Sequence, residues 1–512
     1  MRVDDRSCRA TLQRVDAGEV PPPGGVVYRS HGVVVVIGDD AVAALDAAVA
    51  LAARRDVIAV APGLRQRPGM PERLEVRDGV ATRVDGWLGA FRVGIDGHGG
   101  ALDADVVVDL HRTPRIDRSV RPFGYLPTCG DEAARGAAVA AALEYAGVFH
   151  KPKYFTYTPS ICAHESYGLT GCTRCLDVCD AHAIQSKGAL VEVEPHLCQG
   201  CAACALACPT GALSVSQPSR SMLLDGALAA IDSARASGAV PTLHVVEAGR
   251  ARPQGEVVIE TPAIAAFGDE LWLAAIARGA TRVVLHARPD TPARTRALLE
   301  TRVAECNALA QALGRALPAV VLVDGDACDV QSRAAVDTVG APAPQQLGDE
   351  RKRDHLNRAL AGLEPPGGLE PRPLPAGSPL GTIVVDAGAC VMCGVCASAC
   401  PTASIRTGQS GGEARLEFAE ANCVQCGLCE RLCPEHAIAL QPRLAGASVR
   451  QAWRVVNAAP LAACPDCGTR FIAQPLLDAM LRRAEAGGSS DAMRAPMQRC
   501  PACRHAGAHA VD

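Results

Sequence analysis

Aromatic residues are scarce in this 512-residue chain, at 3%, although hydrophobic residues as a whole make up 48%. Any core must therefore rest on Val, Leu, Ile and Ala, and the length allows three or four domains. The formal net charge is only -4, which gives no electrostatic reason to expect nucleic acid or an anionic membrane as a partner. Arg outnumbers Lys throughout, read here as compositional bias. The N-terminus, MRVDDRSCRA, lacks the apolar centre of a signal peptide. No apolar run approaches the length of a membrane span. The expectation is a cytoplasmic protein that meets a membrane, if at all, through a partner. Common active-site motifs are missing too: there is no G-x-G-x-x-G, no P-loop and no G-x-S-x-G. Gly38-Asp39-Asp40 follows a strand-like run without such a motif, and Gly97-His98-Gly99-Gly100 is a loose turn. No independent substrate site is expected.

What the chain has in excess is cysteine, 24 in all, mostly in tight C-x-x-C runs. Without a secretory signal these are expected to be reduced and to act as metal ligands, not disulfides. Three runs share one pattern: Cys198-x2-Cys201-x2-Cys204-x3-Cys208-Pro209, Cys390-x2-Cys393-x2-Cys396-x3-Cys400-Pro401 and Cys423-x2-Cys426-x2-Cys429-x3-Cys433-Pro434. A fourth is a variant, Cys172-x2-Cys175-x3-Cys179-Asp180. After each last cysteine comes a similar segment, DAHAI, PTGAL, PTASI or PEHAI. The repeats fall into two adjacent pairs.

A [4Fe–4S] cube needs four thiolates arriving from four directions. Three cysteines at x2 spacing wrap one face, and in this run the fourth ligates the other cluster of a pair. The proline turns the chain away towards that neighbour. Zinc has no use for three cysteines in register followed by x3-C-P.

Around these runs the chain divides into a tail (1–24), an N-terminal α/β domain (25–150), a first cysteine module (151–217), a second α/β domain read as a docking domain (218–345), a Pro/Gly-rich linker (346–381), a second cysteine module (382–442) and a helical C-terminal region (443–512). Strands are expected at 33–37, 57–60 and 106–110, with helices at 41–54 and 132–146. In the second α/β domain strands are expected at 242–246, 257–259, 283–286 and 320–323, and helices at 269–278 and 291–313. Alternating strand and helix predict a mostly parallel sheet.

The three regular runs resemble bacterial two-cluster ferredoxins. Carried over residue by residue, the resemblance implies Cys390, Cys393, Cys396 and Cys433 for one cluster and Cys423, Cys426, Cys429 and Cys400 for its neighbour. In the first module it implies Cys198, Cys201, Cys204 and Cys179 for one cluster. The remaining set, Cys172, Cys175 and Cys208, lacks a cysteine at the expected place, where Leu169 stands. Cys162, beyond the insertion AHESYGLTG, is the candidate fourth ligand. The alternatives are a three-iron cluster, or water or another ligand on an open iron. His164 and Glu165 in the insertion are read as loop residues.

Cys464-x2-Cys467 and Cys500-x2-Cys503 form a separate four-cysteine set, flanking a helix expected at 475–483. Structural zinc is favoured there over another iron–sulfur centre or no metal. His505 and His509 are read as surface residues, and Cys8, Cys129, Cys306 and Cys328 as incidental thiols. Lys151–Tyr157 (KPKYFTY) is read as a packed strand of the first module in preference to a partner-facing one.

Two wider resemblances follow. ETPAIAAFGDELWLAAIARGATRVVLHA looks distantly like the delta-subunit domain of hydrogenase–heterodisulfide reductase systems. That family's extra cysteines are replaced here by Thr261 and Arg288-Pro289, and the likeness implies a docking role. KPKYFTYTPSICAHESYGLTGCTRCLDVC and FAEANCVQCGLCERLCPEHAIAL resemble proteobacterial cytoplasmic 4Fe–4S binding proteins associated with formate dehydrogenase. The expected fold is an α/β and α+β multidomain protein with two ferredoxin-like 2[4Fe–4S] modules among α/β domains and a C-terminal four-cysteine knuckle. The expected function is single-electron relay through four [4Fe–4S] clusters between redox proteins such as a dehydrogenase. The rivals are an oxidoreductase subunit with chemistry at an open iron, and a redox-sensing or assembly protein.

Overall fold

The computed structural model describes residues 2–3, 12–15, 24–96, 100–250, 253, 257–315, 318–325 and 351–508. Cys8, Cys328, His509 and the turn at 97–99 lie outside these residues.

In the N-terminal domain, continuous apolar strands are buried on both faces, as a parallel sheet requires. Val34–Ile37 is buried at every position, and so is Val106–Asp109. They form the middle of a five-stranded parallel sheet, ordered Tyr125–Pro127, Val106–Asp109, Val34–Ile37, Val57–Ala61, Leu74–Asp78. Helix Ala41–Ala52 links two of these strands, and its cap explains the motif before it. The Asp40 carboxylate accepts from the N–H groups of Val42 and Ala43 at 2.8 and 3.3 Å, an N-cap and not a nucleotide turn. Helix Glu132–Glu144 packs on the same sheet.

A second, antiparallel sheet corrects the reading of residues 1–24 as a flexible tail. Leu12–Val15 pairs with Gly147–Lys151, which pairs with Val26–Ser30. Leu12 is fully buried, and one such apolar anchor docks a strand too short to show a period.

The middle domain follows expectation closely. Val257–Thr261, Thr242–Glu247, Arg282–Ala287 and Val320–Asp324 lie in that order in a parallel sheet. Helices Arg220–Ala236, Asp269–Arg278 and Ala293–Ala312 accompany it. The span 346–381, read as a linker, instead contains helix Lys352–Leu363. That helix lies against Asp269–Arg278, with Leu356, Leu360 and Leu363 in the main core. The Pro- and Gly-rich sequence around it obscures it; among the described residues of that span, about 365–377 is a mostly exposed connection.

Each cysteine module is built from a pair of terminal strands and a hairpin. In the first, Phe155–Tyr157 pairs with Leu213–Val215, and Ile184–Lys187 with Leu190–Val193. In the second, Gly381–Val385 pairs with Ile438–Leu444, and Ile405–Ser410 with Glu413–Ala419. The second hairpin is extended by strand Trp453–Ala463, itself paired with Arg470–Ala473. The C-terminal region, expected to be helical, is therefore mixed: two strands precede helix Gln474–Ala486. Among the described residues no helix is long and apolar enough to cross a membrane.

Candidate iron–sulfur sites and a four-thiol centre

The repeated segment after each run has one backbone shape. The third residue past the last cysteine takes a positive φ in all four: His182 at 50°, Gly211 at 78°, Ala403 at 51° and His436 at 50°. This left-handed residue reverses the chain so that the next N–H points back at the cysteine. Ala183 N donates to Cys179 Sγ at 3.2 Å, Ser404 N to Cys400 Sγ at 3.2 Å, and Ala437 N to Cys433 Sγ at 3.3 Å. In the remaining run a hydroxyl mediates: Ala212 N donates to Thr210 Oγ1 at 3.2 Å, and Thr210 Oγ1 lies 3.5 Å from Cys208 Sγ. DAHAI, PTGAL, PTASI and PEHAI are thus one sulfur-binding turn.

The loops between cysteines carry a second signature. Gly200 and Ala202, Met392 and Gly394, and Gln425 and Gly427 all have φ between 53° and 79°. Alternation of left- and right-handed residues turns successive N–H groups inward, the nest that holds anionic centres such as iron–sulfur clusters. Non-glycine residues pay a steric cost to sit there, so three repetitions point to a bound anionic group. The Cys172–Cys175 loop lacks such a residue.

The cysteines converge as sets. Cys390, Cys393, Cys396 and Cys433 line one small cavity. Cys162, Cys172, Cys175 and Cys208 line another, with Pro209 and Val191. Cys198, Cys201 and Cys179 surround Cys204, and Cys423, Cys426 and Cys400 surround Cys429, closely enough to raise its pKa. Burial pushes these thiols up first, and the neighbouring sulfurs push them further. Cys179 rises to about 11, Cys396 to about 12 and Cys426 to about 11, while Cys175, Cys204 and Cys429 also rise strongly. Buried, mutually repelling sulfurs of this kind fit a multiply charged iron–sulfide core that would hold them as thiolates.

Cys162 occupies the place of a first cysteine. The strand Phe155–Tyr157 and the 3-10 turn Pro159–Ile161 lead into it, as the terminal strand Gly381–Val385 of the second module leads into Cys390. The insertion between Cys162 and Cys172 is a hairpin, Glu165–Ser166 against Leu169–Thr170, turning through Tyr167 and Gly168 at φ 50° and 78°, a tight I′-like reversal. Its neck is closed by Cys172 N donating to Ala163 O at 2.8 Å. His164 is a buried tie: Nδ1 is 3.0 Å from Cys172 O and Nε2 is 2.8 Å from Ser186 Oγ. Both ring nitrogens are thereby engaged, and Glu165 belongs to the hairpin.

Lys151, read in the sequence only as part of a packed strand, is fully buried. Its Nζ donates to the carbonyls of Cys198 and His196 and sits 5.5–5.8 Å from the rings of Tyr28, Phe123 and Tyr154. Gln425 likewise had no sequence signal; its Nε2 donates to Cys423 Sγ at 3.2 Å.

At the C-terminus the sulfurs of Cys464, Cys467, Cys500 and Cys503 all lie within 4.8 Å of one another. Cys464 directly follows the long strand Trp453–Ala463 and Cys500 precedes helix Pro501–Ala508. Cys467 Sγ and Cys500 Sγ are 3.7 Å apart, near the roughly 3.8 Å edge of a tetrahedron with metal–sulfur bonds of about 2.3 Å. N–H groups of Cys500, Cys467 and Asp466 bring Cys464 down to about 6, favouring a thiolate. His505 is exposed and outside this group. Of the other thiols, Cys129 is exposed and Cys306 buried.

Two family models match the chain: a 4Fe-4S dicluster domain at residues 389–437 and a 4Fe-4S binding domain at residues 190–213. The first contains every cysteine of the second module; the second contains Cys198 to Cys208 and leaves Cys162 to Cys179 outside. None of the curated proteins matches. A crystal structure of an oxidoreductase from Agrobacterium tumefaciens is similar over 16% of this chain and 36% of its own, at 23% identity and a TM-score of 0.13. This chain therefore spans only about a third of that protein's length. The chain carries 4Fe–4S ferredoxin-type domains within a mixed α/β multidomain fold, with a cysteine cluster near its C-terminus.

Proposed function

We propose that the protein relays single electrons through four [4Fe–4S] clusters between cytoplasmic redox proteins, with a dehydrogenase such as formate dehydrogenase as a partner. The observation that carries this reading is the pairing of thiol sets within each module. Cys204 feels the charge of Cys175 from the adjacent set, and Cys429 that of Cys396. Each bound cluster supplies a one-electron redox centre. The chain's own residues hold that centre, exclude water from it and direct N–H groups at its sulfurs, the terms that set its potential.

The ligand sets are Cys162, Cys172, Cys175 and Cys208; Cys198, Cys201, Cys204 and Cys179; Cys390, Cys393, Cys396 and Cys433; and Cys423, Cys426, Cys429 and Cys400. The equivalence of Cys162 to Cys390 in the chain path, each following the terminal strand of its module, supports a complete first set. Cys464, Cys467, Cys500 and Cys503 hold structural zinc.

Anaerobic purification with iron, sulfide and zinc counted on one sample tests the reading. We expect about sixteen iron and one zinc per chain. About eight iron would remove one module from the relay. Cys162→Ser should produce a three-iron EPR signal; an unchanged spectrum would reject Cys162 as a ligand.

A further inference from the structure

The two cysteine modules are far apart in sequence but touch in the fold, and the contact is made by the one irregular part of the first module. Gly171, at the neck of the inserted hairpin, lies so close to Leu428 that a Cβ there would stand 2.9 Å from Leu428 Cγ and 2.5 Å from Ala163 O. The Arg431 guanidinium donates to Thr170 O on the same hairpin. Leu428 and Arg431 belong to the short helix that carries Cys429. The insertion next to Cys172 is thus seated on the helix beside the Cys423 set.

A second grip comes from helix Lys352–Leu363. Lys352 Nζ donates to Ala205 O and Leu206 O, at 3.1 and 2.7 Å, in the helix between Cys204 and Cys208. The next residue, Arg353, donates from Nε to Ala421 O at 2.8 Å and from a terminal nitrogen to Cys423 O. Consecutive side chains therefore hold the Cys208 end of one module and the Cys423 end of the other. Both are buried. Asp269 Oδ1 lies 3.3 Å from Lys352 Nζ and compensates its charge.

The outer sets face elsewhere. Cys179 and Cys198 pack with Val120 and Trp87 of the N-terminal domain. A cleft of about 680 Å³, lined by Arg83, Arg92, Arg118 and His182 among others, opens beside them. The Cys390 cavity includes Glu435, which is ion-paired with Arg483 of the C-terminal helix.

We propose that the hairpin inserted between Cys162 and Cys172 is a splice: with the Lys352–Arg353 pair it holds the Cys162 set against the Cys423 set, so that the four sites form one row ending at the Cys198 set and the Cys390 set. This rests on the four-cluster reading. One electron passes per step between neighbouring sets, with no bond made or broken and no atom transferred. External one-electron redox proteins fill and empty the two ends. Because tunnelling weakens steeply with distance, fixing the interior pair decides whether the modules conduct as one row or as two separate pairs.

The test compares full-length proteins, fully reduced under anaerobic conditions. Excising residues 164–170 leaves Cys162-Ala163-Gly171-Cys172, which restores the x2 spacing of the other runs. A second variant, Arg353→Met with Arg431→Ala, leaves the Cys162 loop untouched. Iron is counted first, and about sixteen per wild-type chain reports on the four-cluster reading independently of the splice. Inter-cluster spin coupling is then read from EPR line broadening and microwave power saturation. The expected result is coupling across the whole row in the wild type, reduced in both variants to that of two independent pairs, with iron retained in the second variant. Coupling unchanged in the second variant at full iron content overturns the splice, whether or not the excision variant folds.

Discussion

A single buried lysine shows how residues outside the cysteine pattern shape the sites. Lys151 donates to the carbonyl of Cys198 inside an aromatic cage, and its charge already lowers the Cys198 pKa against the rise caused by burial. Reduction adds negative charge to a site, so a fixed cation beside it favours the reduced state. Lys151→Met keeps most of the volume and removes the charge. Redox titration should show the potential of the site that includes Cys198 falling by an amount on the order of tens of millivolts, with the others unmoved. Equal shifts at every site would mean a general loosening. His244 offers a residue-scale test in the middle domain. Its Nδ1 lies 2.9 Å from His286 Nε2 on the neighbouring strand. Burial, then the neighbouring imidazole, lowers its pKa to about 4. The unfolded chain binds a proton near pH 6.5, so between these values the unfolded state holds more protons. Stability is therefore complete above about 6.5 and declines as pH falls towards 4, by at most about 3 kcal/mol. Hydrogen exchange of strands Thr242–Glu247 and Arg282–Ala287 should quicken over that window in the wild type and lose the dependence in His244→Asn.

At the scale of elements, the left-handed glycines of the cysteine modules, one in the turn after a run and one within a run, are where backbone conformation and packing can be separated. Gly211 and Gly427 share a left-handed φ, 78° and 79°, but differ in surroundings. A Cβ on Gly211 would stand 2.8 Å from Lys352 Cβ, whereas on Gly427 nothing comes closer than 3.8 Å. Gly427→Ala should therefore cost only the left-handed conformation, about 1–2 kcal/mol. Gly211→Ala should cost more and should also speed amide exchange in helix Lys352–Leu363. Equal exchange of that helix in both variants would refute the distinction. The same element marks where sequence reading stopped. Strands buried on both faces, such as Val34–Ile37 and Thr242–Glu247, show as apolar runs and were legible. Helix Lys352–Leu363 was not, because Lys352, Arg353, His355 and Asn357 are all buried in it. Lys352 and Arg353 are satisfied there by distant carbonyls, partners that no local pattern can announce. Strand Trp453–Ala463 was hidden in the same way, since its pairing with Glu413–Ala419 supplies most of its reason to be extended.

For the whole molecule, the cysteine spacing made the modular plan readable, because a cube of metal and sulfide imposes its own geometry on any chain that wraps it. The spacing does not specify how two such modules are set against each other. That depends on a carbonyl at Ala205, another at Ala421 and a neck glycine at position 171, none with a distinctive sequence context. The helix that grips both modules also has a place in time. All eight cysteines lining the first two sites are translated before any cysteine of the second module. The whole first cysteine module therefore leaves the ribosome before Lys352 and Arg353 exist to bind it. The middle domain is made in between, and the helix that follows it carries Lys352 for Ala205 and Leu206 and Arg353 for Ala421 and Cys423. Order of synthesis alone therefore makes the joint between the two modules the last of these contacts to form.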